Sequence, residues 1–100
     1  MDNTVYVVYK NVSIDVSTIG VCNTNKAAKK LCEKDYELDD GKNIEGRRLY
    51  YTIEEYVLDE HYPGGVQRLI DYIPSITNEW SEMTIHRNVD FISIDNEVNL

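Results

Sequence analysis

The stretch from Arg47 to Glu60, RRLYYTIEEYVLDE, constrains the fold more than any other part of the sequence. It contains no Gly or Pro and is rich in β-branched and aromatic side chains, which suit a pleated, half-buried surface. The stretch therefore predicts a long β-strand, with Leu49, Tyr51 and Ile53 on one face. The alternation slips at Glu54–Glu55, where either a β-bulge changes the register or a glutamate lies at the rim of the core. The bulge is favoured because it exposes both carboxylates.

The overall composition sets the class of protein. One hundred residues suffice for a single domain with a modest core, and a hydrophobic content of 42% argues against disorder. No apolar run approaches the roughly 20 residues that cross a bilayer, and the N-terminus lacks the pattern of a secretory signal. Two cysteines in such a chain are expected to be reduced thiols. We therefore expect a cytoplasmic protein.

Charge is distributed unevenly along the chain. Residues 1–32 carry two acids and four bases (+2), residues 33–60 ten acids and four bases (−6), and residues 61–100 six acids and two bases (−4), which sum to −8. An acidic chain repels phosphates, so direct binding of DNA or RNA is disfavoured. The same charge steers the chain toward a basic partner protein.

Two strand patterns begin the chain. Thr4–Tyr9 has apolar residues on both faces, which predicts a strand in the interior of a sheet. Val12–Ser17 alternates apolar and polar residues, and Lys10-Asn11 is the predicted turn between the two strands. Gly20 predicts a bulge or a bend. Together these segments predict an antiparallel hairpin.

A helix is predicted over residues 25–36. Asn23, Thr24 and Asn25 are residue types that cap helix N-termini, and Ala28, Leu31 and Cys32 then recur on one side of the helix. The order strand, strand, helix, strand predicts an α+β fold. We expect an antiparallel sheet of three to four strands with the helix packed on one face.

Three segments carry a resemblance to a group of known proteins. The series VYVVY, IGVCNTNKAAKKL and LYYTIEEYVLDE, within residues 4–60, resembles small proteins found in bacterial viruses and their hosts. In those proteins a short hairpin leads through a turn of the type Gly-Val-[aromatic or small]-x-Thr into a helix with a central alanine, and then to a tyrosine-rich strand that ends in acidic residues. Cys22 stands where a larger apolar residue is more usual. The resemblance implies this fold and a phage setting.

Residues 61–100 are predicted to elaborate the core, residues 4–60, within the same domain. After a turn at Pro63-Gly64, apolar residues at helical spacing predict a helix that ends before a proline. The predicted elements are a helix over Val66–Ile73, a second short helix over Ser75–Met83, a brief strand over Thr84–His86 and a last strand over Phe91–Ile94.

The sequence contains no motif for catalysis or metal binding. Cys22 and Cys32 are ten residues apart, and the two histidines are twenty-five apart, so neither pair has the spacing of a zinc motif. Glu54 and Glu55 are neighbours, and on a regular strand they point to opposite faces rather than acting as an acid–base pair. We therefore predict that the protein is not an enzyme and uses no cofactor or metal.

A surface for a protein partner is the remaining candidate site. Carboxylates beside tyrosines, of which the chain has eight, give a polar and aromatic contact surface. The predicted partner-binding residues are Asp39, Asp40, Glu54, Glu55, Tyr56, Asp59, Glu60 and Trp80. For Trp80 two interpretations stay open: an anchor in the partner interface, or a packing residue of the second half of the chain, which is slightly favoured.

Three functions are compatible with these features. The first is a phage-type protein that binds and inhibits a host defence or nucleic-acid-handling protein, of the anti-CRISPR kind, in one version by mimicking DNA. The alternative is a small-molecule binder that sequesters a nucleotide, for which Arg47 and Arg48 form the best site. The second alternative is a structural or virion-associated module. Self-association stays open: tyrosine-rich strands at a sheet edge are able to pair across a twofold axis in a homodimer, and the sequence does not say which strand lies at the edge.

Overall fold

The described residues form one helix and five strands. The computed structural model describes residues 3–39, 48–75, 77 and 79–87. The elements, in chain order, are β1 (Thr4–Val12), β2 (Asp15–Cys22), α1 (Asn25–Leu38), β3 (Leu49–Val57), β4 (Arg68–Pro74) and β5 (Trp80–His86). All neighbouring strands are antiparallel, in the order β2-β1-β3-β4-β5. The fold is therefore α+β, with more strands in its sheet than the sequence predicts.

The predicted long strand is β3, and it lies at the centre of the sheet. Its register with β1 is regular from Thr4 opposite Val57 to Val12 opposite Leu49, and its register with β4 is regular too. The predicted bulge at Glu54–Glu55 is therefore wrong. Each glutamate has a hydrogen-bonding partner on its own face of the sheet, so the alternation needs no correction.

The hairpin of β1 and β2 is confirmed, but its turn lies further along than predicted. The turn is formed by Ser13 and Ile14, with Ser13 in the left-handed region at φ 56° and its N–H donating to the carbonyl of Arg48 at 2.7 Å. Asn11, placed by the sequence in the turn, is instead a buried strand residue, because its Nδ2 donates to Thr52 Oγ1 at 2.9 Å on the neighbouring strand.

The sheet does contain one bulge, beside Gly20, as the sequence suggested. Val8 pairs with Gly20 and Tyr9 with Thr18, so that Ile19 is the extra residue of β2. Gly20 also lies against the helix, since a Cβ at this position would be 2.5 Å from Cδ2 of Leu31. The glycine thus lets α1 approach the edge strand closely.

The helix is confirmed and runs two residues beyond its predicted end. Thr24 is its N-cap, and its Oγ1 accepts a hydrogen bond from the N–H of Ala27 at 3.1 Å. Ala28 and Cys32 are fully buried, as the helical spacing predicts. Within the described ranges no helix is long and apolar enough to cross a membrane.

The predicted helix over Val66–Ile73 is wrong, because residues 68–74 form β4. The spacing of Leu69, Ile70 and Ile73 fits one side of a helix, but apolar residues on both faces also fit an interior strand. Leu69 and Ile70 are in fact buried on opposite faces of the sheet. The short helix predicted over Ser75–Met83 is wrong where it overlaps β5, which also contains the predicted strand over Thr84–His86.

The two faces of the sheet differ in what covers them. On one face, here called the helix face, α1 packs over β1, β2 and β3. The opposite face, here called the open face, is covered by no described helix. The core lies between the helix and the helix face and consists of Val8, Ala28, Cys32, Tyr51, Ile53, Ile70 and Tyr72. The edge strands of the described sheet are β2 and β5, whereas the tyrosine-rich β3 is interior.

Candidate functional site

Most described carboxylates on the helix face are paired with cations. Lys10 Nζ lies 3.0 Å from Asp35 Oδ2 and 2.6 Å from Asp39 Oδ2, at the end of α1. Burial lowers the pKa of Lys10, but its hydrogen bonds to both carboxylates outweigh this and raise the pKa overall. Two further ion pairs lie on this face: Lys29 on α1 pairs with Glu82 on β5 at 2.6 Å, and Arg68 on β4 pairs with Glu55 on β3 at 2.5 Å. These carboxylates are neutralised within the chain.

Tyrosine hydroxyls join the sheet to the helix on the same face. Tyr51 donates to Asp35 Oδ2 at 2.7 Å, and Tyr72 donates to Glu33 Oε2 at 2.6 Å. Burial raises the pKa of both tyrosines, and the accepting carboxylates raise it further. Both hydroxyls stay protonated and act as donors at neutral pH, so they fix α1 on the sheet.

Trp80 lies on the helix face and completes an aromatic cluster. Its ring stacks on Tyr72 with centroids 4.5 Å apart, and its ring centroid lies 5.5 Å from that of Tyr36 and 5.9 Å from that of Tyr51. This arrangement supports the interpretation of Trp80 as a packing residue, and it places the ring away from the open face.

On the open face, Glu54 is surrounded by tyrosines. The hydroxyl of Tyr56 donates to Glu54 Oε1 at 2.7 Å, and the ring of Tyr62 meets Tyr56 edge to face with centroids 5.2 Å apart. Burial raises the pKa of Tyr9, and a hydrogen bond to Glu54 raises it further. These residues, Tyr9, Glu54, Tyr56 and Tyr62, are here called the tyrosine–glutamate cluster.

The carboxylate of this cluster has no ion-pair partner in the part of the chain that the structure describes. Within the described ranges, no lysine, arginine or histidine forms an ion pair with Glu54. Burial is the largest cause of the raised pKa of Tyr56, followed by its hydrogen bond to Glu54, while the positive charge of Arg87 opposes the shift from a distance. Among the described residues, Glu54 is therefore held in place by tyrosine hydroxyl groups.

A second polar arrangement crosses the middle of the open face. Asn11 Nδ2 on β1 donates to Thr52 Oγ1 on β3 at 2.9 Å, and the Thr52 hydroxyl donates to Asp71 Oδ1 on β4 at 2.9 Å. Because Asn11 supplies the proton to the threonine oxygen, the threonine proton is directed at the carboxylate. Asp71 is thereby oriented at the wall of a groove.

This groove has a volume of about 320 Å³ and lies where β3 begins. Its lining residues are Arg48, Leu49, Tyr50, Asp71, Ile73 and Met83. The guanidinium of Arg48 lies over the ring of Tyr50, with its carbon 5.7 Å from the ring centroid. One cation, one carboxylate and several apolar groups thus line one concave surface.

The structure distributes the predicted partner-binding residues over several surfaces. Glu54 and Tyr56 lie together on the open face, whereas Glu55, Asp39 and Trp80 belong to the helix face. Asp59 and Glu60 are exposed just after β3, with Asp59 in a left-handed conformation at φ 66°. Asp40, Arg47 and the strand predicted over Phe91–Ile94 lie outside the described residues.

Sequence reasoning missed Tyr9, Tyr62 and Asp71 as members of the open face. The alternation of β1 predicts that the side chains of Tyr9 and Val8 lie on opposite faces of the sheet. Only the pairing of Tyr9 with Thr52 on β3, however, brings Tyr9 beside Glu54. Asp71 was assigned to a helix, so its position next to Thr52 had no signal in the sequence.

Metal-binding groups and cysteine thiols are the remaining chemical features of the described residues. The described ranges contain no group of three or more His, Cys, Asp or Glu residues that would hold a metal ion. Cys32 is fully buried, and burial raises the pKa of its thiol to about 12, so it is unreactive at neutral pH.

The chain matches no protein-family model, no curated protein and no solved structure.

Proposed function

We propose that this chain is a binding protein that presents its open face to a partner protein with a basic surface. The observation that carries the proposal is the state of Glu54, a half-buried carboxylate oriented by a tyrosine hydroxyl but paired with no cation among the described residues. A carboxylate that is already oriented meets a lysine or arginine of a partner with little additional loss of conformational freedom.

The tyrosines beside Glu54 suit such an interface. Tyr9, Tyr56 and Tyr62 are half-buried, so each has ring surface available for contact while its hydroxyl remains polar. Tyrosine is enriched at protein interfaces because its large ring is rigid and its polar tip tolerates water. A cation from the partner also gains from nearby aromatic rings.

The partner we propose is a nucleic-acid-handling or defence protein of a bacterial host, inhibited by occupation of its basic surface. A net charge of −8 favours approach to such a surface, and the resemblance to small phage proteins supports the setting. Among the described open-face residues, only Glu54 and Asp71 are carboxylates near the centre of the sheet, so the proposal is a mixed tyrosine and carboxylate contact rather than a row of phosphate mimics.

The test is affinity capture from bacterial lysate, followed by binding measurements on the purified partner. Glu54→Gln keeps the hydrogen bond from Tyr56 but removes the charge, and we expect it to weaken binding by about tenfold or more. Glu37→Gln, an equal charge change at an exposed helix position, is the matched control and should bind within about twofold of the parent.

Salt and nucleic acid sharpen the test. Binding should weaken steeply between low and high salt, and duplex DNA should compete if the surface bound is a nucleic-acid channel. Capture of no stoichiometric partner, or equal affinities of the parent and Glu54→Gln, would contradict the proposal.

A further inference from the structure

We propose that the groove at the beginning of β3 binds a small zwitterion of the amino-acid class. Arg48 would hold the carboxylate of the ligand, Asp71 would hold its ammonium group, and Ile73 and Met83 would contact an apolar side chain. This site lies on the same open face but contains no residue of the tyrosine–glutamate cluster, and binding of a small ligand to it can be measured without the partner protein.

The charges of the groove are the first observation. Arg48 and Asp71 both line it, yet within the described ranges neither forms an ion pair with the other or with a third residue. Elsewhere Lys10, Lys29 and Arg68 all find a carboxylate partner. A molecule that carries both signs of charge satisfies both groups at once, whereas a simple anion or cation satisfies one and meets repulsion from the other.

The orientation of Asp71 is the second observation. Its Oδ1 accepts from Thr52 at 2.9 Å, and Thr52 is itself fixed by Asn11, whose side chain also approaches the carbonyl of Tyr50 at 3.4 Å. Asn11 is buried, with 7% exposure, so the whole chain of hydrogen bonds rests on a rigid part of the sheet. Among the described residues Oδ2 of Asp71 has no donor, which leaves it for the ammonium group of a ligand.

Arg48 is oriented by its contact with Tyr50. The guanidinium carbon lies over the ring, 5.7 Å from its centroid, which is within the range of a cation–π contact. Within the described ranges the guanidinium forms no ion pair, and the planar arrangement of its N–H groups matches the two oxygens of a carboxylate. The two charged ends of the site are therefore each held by a neighbour in the sheet.

Size and net charge select the ligand class. A volume of about 320 Å³ lies at the lower end of the range for small-molecule sites, which is roughly 300–1,000 Å³. The charges of Arg48 and Asp71 cancel, and the net charge of the whole chain is −8. Binding of a phosphorylated ligand is therefore disfavoured, whereas binding of a zwitterion is not. The nucleotide expected from Arg47 and Arg48 is thus replaced by a smaller ligand without net charge.

The test is a titration of the full chain, followed by the backbone amide resonances of the groove in ¹⁵N-edited NMR spectra. The probes are L-leucine, L-methionine and L-phenylalanine. At least one is expected to shift the resonances of Arg48, Tyr50 and Met83 with saturation below about 10 mM. L-Leucine amide and N-acetyl-L-leucine each lack one charge, as do the corresponding derivatives of the other probes, and should bind at least about tenfold more weakly.

Variants assign the two ends of the ligand. Arg48→Gln and Asp71→Asn should each weaken binding by at least about tenfold, and Asp71→Asn retains an acceptor for Thr52. The charge-matched controls are Lys34→Gln and Glu37→Gln, both at exposed helix positions, and neither should change the affinity for the amino acid. Dispersed spectra of all variants show that the fold is kept.

Several outcomes would overturn the inference. These are the absence of saturation with all three amino acids, equal binding of the derivatives, or saturation by AMP in place of the amino acids. Glu54→Gln separates the two proposals, because it should leave amino-acid binding intact while it weakens the binding of the partner protein. Loss of one activity therefore says nothing against the other.

Discussion

On the helix face, Tyr51 donates a hydrogen bond to Asp35 across the contact between the sheet and α1, whereas on the open face Tyr56 donates to Glu54 within one strand. The two bonds have the same length of 2.7 Å and the same chemistry. Only the first joins separate elements, and only its carboxylate also pairs with a lysine. The same pair of residue types therefore builds the fold on one face and presents an unneutralised charge on the other.

The largest expected difference between the faces comes from truncating apolar side chains. Ile53→Ala removes a side chain that is 1% exposed beneath α1, and we expect a loss of about 2–5 kcal/mol in the free energy of unfolding. Met83→Ala on the open face, where the side chain is 56% exposed, should cost less than about 1 kcal/mol.

Urea denaturation of both variants, followed by circular dichroism, measures the two losses under one set of conditions. Equal losses would mean that the open face is packed as tightly as the helix face. That result would contradict the difference between the two faces, and it would also weaken the case for a partner surface on the open face.

Removal of single hydroxyl groups is the next effect in size. Tyr51→Phe removes the buried hydroxyl donor of Asp35, which keeps its ion pair with Lys10, and hydrogen bonds to charged groups contribute about 1.5–3 kcal/mol. Tyr56→Phe removes a bond on a half-exposed face, where water replaces the donor, so the expected loss is below about 1 kcal/mol.

Measurement of unfolding and of partner binding on both variants sharpens the contrast. Tyr51→Phe should lower stability and spare binding, while Tyr56→Phe should spare stability and weaken binding because Glu54 loses one of its hydroxyl donors and keeps only that of Tyr9 among the described residues. The reverse pattern would show that the roles of the two faces are exchanged.

The strands and helix of the first half of the chain are predictable because their signals are local. The cap at Thr24, the inward side of α1 and the existence of β3 as a long strand all follow from residues close together in the sequence. The regular register of β3 at Glu54–Glu55 does not, because it is decided by the pairing with β1 and β4. The turn at Ser13-Ile14 is harder to predict from the sequence. Asn11 is a residue type common in turns, and the partner that holds it in a strand, Thr52, lies 41 residues away. A residue that normally terminates strands is thus recruited into one by a tertiary contact.

The second half and the site depend on pairing, which is not a local property. The spacing of Leu69, Ile70 and Ile73 satisfies a helix and an interior strand equally, and only the pairing of β4 with β3 decides between them. The same pairing brings Asp71 beside Thr52, and the pairing of β1 with β3 brings Tyr9 beside Glu54. The proximity of Glu54 and Tyr56, two residues apart on one face, was the only part of the site within reach of the sequence.

Ionisation of the tyrosines gives an effect that is absent at neutral pH and is therefore the smallest under ordinary conditions. Burial, and then the carboxylates of Asp35 and Glu33, raise the pKa of Tyr51 and Tyr72 above the ordinary value of 10.0. The folded state thus keeps protons that the unfolded state has lost above about pH 10, so the stabilisation is complete below that pH and declines as the pH rises through the folded values. A charged Tyr51 or Tyr72 would also be repelled by the carboxylate that now accepts its hydrogen bond.

We expect the free energy of unfolding, from urea titrations at pH 8 to 11, to be flat at first and to fall above about pH 10. The double variant Tyr51→Phe with Tyr72→Phe should fall less steeply, because phenylalanine does not titrate, while Tyr9 and Tyr56, whose pKa values are also raised, leave a residual slope. Identical slopes in the parent and the double variant would show that these two hydroxyls do not hold the helix on the sheet.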